Sequence, residues 1–500
     1  MASKRSLLII LGVIGVIECL SGIVRYDGYK VLRIQPSGLD QQSAVVNLIR
    51  DGQHEIDVWS EMSGEGLDGT GSTLEIQVSP SILPTILSTL EKMGIHYDVL
   101  IDDLQKSIEE QLQANGMHRY KRSADSINLT TGYSTFHDKY WRYEEINEWL
   151  LKICKTYPNL TECINLGMSY ENRPIYAIKI STSLDDATKR QAIWIDAGMH
   201  AREWIAPSVA LFIIDQLIHG YSSNSNIEEL LSQVDFYILP VFNVDGYVYS
   251  WTTDRLWRKT RSPNPGSKNC SGTDPNRNWD FHFYDETASG FGWTAATDPC
   301  ANIYQGAEPH SEIEVRHMDD FIQAHAKHIK AYVTLHSYGT LLMWPWCFTT
   351  KQVPPTNYDL AYVALAMRGD IKNVHGRIYR TGNIGKMLGF ASGGTSVDYM
   401  YNNHSIKYSY AFELPGGPFV MGQSQLKRFL LPPENIVPIS EEIYVGIKTL
   451  AEHVIGGVKY NLTMTATVAT TSSATNEKIG LFIHVCLILP LVLAVFRSLR

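Results

Sequence analysis

Ala192-Ile193-Trp194-Ile195-Asp196-Ala197-Gly198-Met199-His200-Ala201-Arg202-Glu203-Trp204 is the stretch on which the fold turns. Residues 192–196 are apolar and rich in β-branched side chains up to a terminal Asp196, the pattern of a buried strand. Gly198 interrupts the run, and helical spacing follows over 203–219. The same alternation recurs on both sides. Helical patterns cover 142–155, 311–325, 357–372 and 434–453, with strand patterns at 175–180, 236–240, 329–336 and 405–413. Strands alternating with helices predict an α/β domain over 123–457, built on a mixed, largely parallel sheet covered by helices on both faces. Functional groups in such sheets collect where strands end. Asp196, His336 and Glu413 each stand at such an end.

A smaller unit precedes this domain. Strand patterns at 29–35, 55–59, 72–78 and 96–101 alternate with helical ones at 39–50, 82–92 and 102–113. The order β-α-β-β-α-β with a trailing helix predicts a ferredoxin-like sandwich. Arg119-Tyr120-Lys121-Arg122 follows it directly. A basic cluster between two ordered units reads as an exposed site for a trypsin-like activating protease.

The chain of 500 residues is 44% hydrophobic with a net charge of −9, which excludes a nucleic-acid surface and leaves ample core material. A monomer is expected. Lys4 and Arg5 precede an apolar run and small residues near position 21, the layout of a signal peptide over 1–21. Residues 458–478 form a Thr/Ser-rich stalk. Residues 479–500 form a hydrophobic anchor segment ending in Arg497 and Arg500. Two readings of that segment stand side by side: a transmembrane helix with a basic tail, or a signal exchanged for a lipid anchor. Both tether the protein outside the cell. Glycosylation triplets at Asn128, Asn159, Asn269, Asn403 and Asn461 agree with secretion. Cys154, Cys163, Cys270, Cys300 and Cys347 lie outside the two terminal segments, and an oxidising compartment favours pairing among them.

His200 and Glu203, three residues apart as a turn enters a helix, can converge on one ion. His336 ends an apolar strand and would lie beside them. Two histidines and one carboxylate leave a position open for water, the catalytic form of a zinc site. Further stretches carry a likeness: His200-Ala201-Arg202-Glu203, Arg255-Leu256-Trp257-Arg258, Asp274-Pro275-Asn276-Arg277-Asn278, Leu335-His336-Ser337-Tyr338 and Phe412-Glu413-Leu414. In order and spacing they resemble the zinc metallocarboxypeptidases of the carboxypeptidase A/B type, a phosphorylase/hydrolase-like α/β fold. The likeness extends over nearly all of 25–457.

The resemblance implies roles. One Zn2+ would be bound by His200, Glu203 and His336, with Asp274 behind His200. Glu413 would be the general base and acid, and Arg258 the oxyanion donor. Asn276 and Arg277 would grip the substrate's C-terminal carboxylate, with Arg202 and Tyr338 further out in the cleft. Residues 22–105 would be an inhibitory prodomain and 106–122 the activation segment. Cys270 and Cys300 would form the family's disulfide; Cys154 and Cys163 offer a second pair, leaving Cys347. Val397 takes the position that sets specificity; with Ile384 and Ala411 it implies apolar or aromatic C-terminal residues. One departure stands out. Gly389 or Phe390 occupies the place of a tyrosine that caps the substrate's carboxylate, and neither has a hydroxyl. Tyr338 and Tyr379 are the nearest candidates to replace it.

Overall fold

Alternating side chains build two sheets in the computed structural model, which describes residues 22–52, 55–60, 73–116, 135–184, 190–264, 267, 270–288, 296–417 and 427–456. The signal segment, the Arg119–Arg122 cluster, the stalk and the apolar tail lie outside the described residues. The first sheet holds β1 (Lys30–Gln35), β2 (Ile56–Ser60), β3 (Leu74–Val78) and β4 (His96–Ile101), antiparallel in the order β2-β3-β1-β4. Leu32, Ile34, Leu74, Ile76 and Val78 pack under the helices Gly38–Asp51 and Leu83–Lys92 through Val45, Ile86 and Leu90. The ferredoxin-like order expected from the sequence is the one observed. The intervening positions face the other way. Val31, Trp59 and Ile101 join Leu256, Tyr338, Phe429 and Leu430 in an apolar cluster that spans the two sheets.

A single helix, Leu104–Ala114, crosses the boundary that the sequence reading placed between 105 and 106. Asp103 caps it by accepting from the Lys106 amide. Gln111 donates from its side chain to the carbonyls of Phe429 and Leu431 at 3.3 and 2.9 Å. This helix therefore straps the small domain onto the large one.

The large sheet contains β5 (Thr161–Met168), β6 (Pro174–Ile180), β7 (Gln191–Ala197), β8 (Val234–Leu239), β9 (Ile329–Ser337), β10 (Leu341–Trp344), β11 (Arg380–Asn383) and β12 (Tyr408–Leu414). Their order is β11-β10-β12-β9-β7-β8-β6-β5. The centre, β12-β9-β7-β8, is parallel, as is β10 with β11; the pairs β10/β12, β6/β8 and β5/β6 are antiparallel. Helices flank it. Ile205–Ser223, Asn357–His375 and Ile436–Val454 pack side by side, and Phe321 on Ile313–His325 meets the rings of Trp194 and Tyr237. Among the described residues no helix is long and apolar enough to cross a membrane. Disulfides join Cys154 to Cys163 and Cys270 to Cys300, with Cα atoms 5.9 and 5.1 Å apart; Cys347 is buried and belongs to neither.

Candidate active site

His200 and Glu203 come from the turn between β7 and the helix Ile205–Ser223. The sequence suggested that the helix begins at Glu203; it begins two residues later. The Glu203 amide instead donates to the His200 carbonyl, closing a turn that aims both side chains inward. His336 arrives from the end of β9 in the central sheet. All three are buried, and their ligand atoms lie within 4.8 Å of one another. His200 Nδ1 is 2.8 Å from Glu203 Oε1, and His336 Nδ1 is 3.2 Å from both Glu203 Oε2 and His200 Nδ1. Tetrahedral donors about 2.0–2.1 Å from a zinc ion stand roughly 3.4 Å apart, so the set fits that ion.

The outer ring nitrogens fix the tautomers. His200 Nε2 faces Asp274 Oδ1 at 3.1 Å, and His336 Nε2 faces the Thr334 hydroxyl at 3.0 Å, which in turn donates to Asp196. With the proton held on each Nε2, both Nδ1 lone pairs point at one spot. Burial and the nearby Arg258 depress the His200 pKa and keep that ring neutral. Burial pushes the Glu203 carboxyl up, but the two histidines outweigh it and hold it well below the usual carboxylate range.

Asp274 is the hub behind this cluster. Its Oδ1 accepts from His200 and the Asn276 amide, and its Oδ2 from Arg258 Nη2 at 2.8 Å and Nε at 3.2 Å. Burial opposes its charge, yet Arg258 and His200 keep the carboxyl ionised. Asn276 is fixed by accepting from the Ser396 amide at 3.0 Å. Arg277 lies in the same short turn, Pro275–Arg277. There Gly394, at φ +67, passes so close that a Cβ would stand 2.1 Å from the Arg277 carbonyl, so only glycine allows the approach.

Glu413 on β12 pairs in register with His336 on β9. Both line one cavity of about 720 Å³ together with His200, Glu203, Arg258, Asn276, Arg277, Tyr338 and Val397. Val397 and the other apolar side chains Ile384, Ala411 and Met343 form part of its wall. Asp398 accepts instead from the amides of Cys347 and Phe348 and is not part of that wall. Gly389 caps a short helix at φ +80, and neither it nor Phe390 lines the cavity. Tyr379 is buried in the core and does not line the cavity.

A family model described as zinc carboxypeptidase matches residues 146–445, and one described as carboxypeptidase activation peptide matches residues 32–111. The chain belongs to the zinc carboxypeptidase family. It is 36% identical to carboxypeptidase A2 of Rattus norvegicus over 90% of this chain and 99% of that protein. It is likewise 36% identical to carboxypeptidase A4 of Mus musculus, over 87% of this chain and 96% of that one. Among solved structures, thrombin activatable fibrinolysis inhibitor shares 30% identity at a TM-score of 0.71, covering 86% of this chain and 99% of that one. Carboxypeptidase A from Helicoverpa armigera shares 26% at 0.74, covering 87% and 99%. The protein is thus a zinc-dependent metallocarboxypeptidase, a hydrolase of C-terminal residues made with an activation peptide.

In this zinc carboxypeptidase the activation peptide lies over the cavity. Asp57 on β2 bonds to Arg202 and accepts from Asn302 at 2.6 Å. Trp59 meets the Phe429 ring edge-on, with centroids 5.0 Å apart. Glu75 on β3 takes bonds from Arg428, from Arg33 and from the Tyr338 hydroxyl. Arg202 and Tyr338, expected to meet substrate, are here committed to the activation peptide. Asp57, Glu75, Arg428 and Phe429 were not singled out from the sequence. One signal was available: Glu75 and Gln77 are polar positions within a strand whose residues are all buried.

Proposed function

We propose that this metallocarboxypeptidase is a secreted zymogen that removes apolar or aromatic residues from peptide C-termini. The reading rests above all on one juxtaposition: the buried His200–Glu203–His336 cluster shares a cavity with Glu413, Arg258 and an uncharged wall at Val397. His200, Glu203 and His336 would hold one zinc ion, which would supply Lewis acidity and lower the pKa of water toward neutrality. Glu413 takes the proton of the attacking water and delivers it to the leaving amine. Arg258, steadied by Asp274, donates to the oxyanion that exists only in the transition state. Arg277 and Asn276 bind the C-terminal carboxylate, Arg277 through its forked donors. Arg202 and Tyr338 contact the chain further out once the activation peptide has gone. Without a hydroxyl at 389 or 390, substrate grip weakens more than chemistry, since the base and oxyanion donor remain.

Activation follows cleavage by a trypsin-like protease near Arg119 and Arg122. The chain acts as a monomer outside the cell, held at its surface by residues 479–500 as a helix or through a lipid that replaces them. Asn159 and Asn403 are exposed, as glycosylation requires. The test compares peptides ending in Phe and in Lys after trypsin treatment. Faster release of Phe supports the reading; faster release of Lys, or release of neither, overturns it.

A further inference from the structure

Arg428 is a cation at the site that the proposed chemistry does not use. It adopts φ +54, a left-handed conformation disfavoured for a residue with a side chain. Its guanidinium grips Glu75, with Nε 2.6 Å from Oε2 and Nη2 on Oε1. The Tyr338 hydroxyl donates to the same Oε2 at 2.7 Å, and the guanidinium lies 4.9 Å from the Tyr338 ring. Glu75, Arg428 and Tyr338 are only 4%, 8% and 9% exposed. A buried carboxylate held this way is a built seat, with a forked donor and a hydroxyl converging on it.

Two of the three donors to that carboxylate stay behind after activation. Arg33 also bonds Glu75, at 2.8 Å, but belongs to β1 of the activation peptide and leaves with it. Arg428 and Tyr338 belong to the enzyme and line the same cavity as the metal ligands and Glu413. On the exopeptidase reading, the substrate's last residue occupies the end bounded by Val397, Ile384 and Ala411, which line the cavity. The rest of the peptide must leave through the mouth that β2 and β3 cover in the zymogen. Upstream side chains therefore pass the seat that Glu75 vacates.

We propose that in the activated enzyme Arg428 and the Tyr338 hydroxyl bind the side-chain carboxylate of an Asp or Glu upstream of the cleaved bond. Glu75 then occupies, in the zymogen, the place of an acidic substrate residue. The inference rests on the exopeptidase reading above. It adds a preference for acidic residues before the terminal apolar one.

The test uses the full chain activated by trypsin and peptides ending in Phe. Each carries one Glu, or its isostere Gln, at the second, third or fourth residue from the C-terminus. At one position kcat/KM should favour Glu over Gln by about 3- to 10-fold at low salt, and less as salt rises. Arg428→Gln should bring that ratio to about one, and Arg428→Glu should invert it in favour of Gln. Arg428→Lys, which keeps the charge without the fork, should retain part of the preference. A wild-type ratio of about one at every position overturns the inference, as does a ratio that survives in Arg428→Gln. Hydrolysis of none of these peptides instead overturns the exopeptidase reading beneath it.

Discussion

Glu75→Gln in the uncleaved chain should switch on activity without proteolysis. The carboxylate is buried and receives Arg428, Arg33 and Tyr338. Glutamine keeps the shape and the bond from Tyr338 but removes the charge, leaving two guanidinium groups facing an amide. Removing one partner of a buried ion pair costs about 3–5 kcal/mol. The cost falls on the closed state, because both arginines regain water when the activation peptide lifts. Allowing for the retained hydroxyl bond, about 2–3 kcal/mol shifts toward opening, which raises the open population roughly 30- to 150-fold. Asp57–Arg202 and the Gln111 bonds remain, so the peptide should still be bound most of the time. The assay is the initial rate of Phe release by the intact zymogen with a serine-protease inhibitor present. Wild type and variant should become equal after activation, since residue 75 departs with the peptide. A rise of less than 3-fold, with the chain intact on a gel, refutes the view that Glu75 holds the cover down.

Three further outcomes follow from single side chains. Arg258→Ala should lower kcat by about 10²–10³ with zinc content retained, measured by steady-state kinetics and metal analysis. Val397→Asp should move the preference from Phe toward Lys or Arg ends, with Phe turnover falling about 10- to 100-fold in paired peptide assays. Glu314 is buried, and its Oε2 has no hydrogen-bond partner among the described residues; burial pushes its pKa up to about 7. Folding therefore retains a proton that the unfolded chain loses above its ordinary value near 4.5. The resulting penalty grows from pH 4.5 to 7 and then levels off, reaching about 3 kcal/mol. Glu314→Gln should remove that part, so thermal unfolding temperatures should fall less between pH 4.5 and 7 than in wild type.

What the sequence revealed followed burial. β7, β8 and β9 are buried almost throughout and read as apolar runs. β5, β10 and β11 went unread. β5 mixes polar residues with Gly167, β10 has only four residues, and Arg-Thr-Gly-Asn of β11 carries no apolar pattern at all. The His200–Glu203–His336 cluster was legible because His200 and Glu203 follow one strand end that the pattern had located and His336 stands at another. The helix start was not, because the turn at His200–Glu203 is closed by backbone bonds that leave no trace in composition. The cover over the cavity was equally hidden. Glu75 and Arg428 are 353 residues apart, and no periodicity links them.

The central claim is a zinc exopeptidase that requires a free C-terminal carboxylate. Its most direct test is Phe release by the trypsin-activated protein from one peptide as the free acid and as the C-terminal amide, with and without a chelator. The account predicts turnover of the acid and at least about 100-fold slower turnover of the amide. It also predicts about one zinc per chain, loss of activity on chelation and recovery with added zinc. Equal turnover of acid and amide, or full activity after the metal has been stripped, would contradict it.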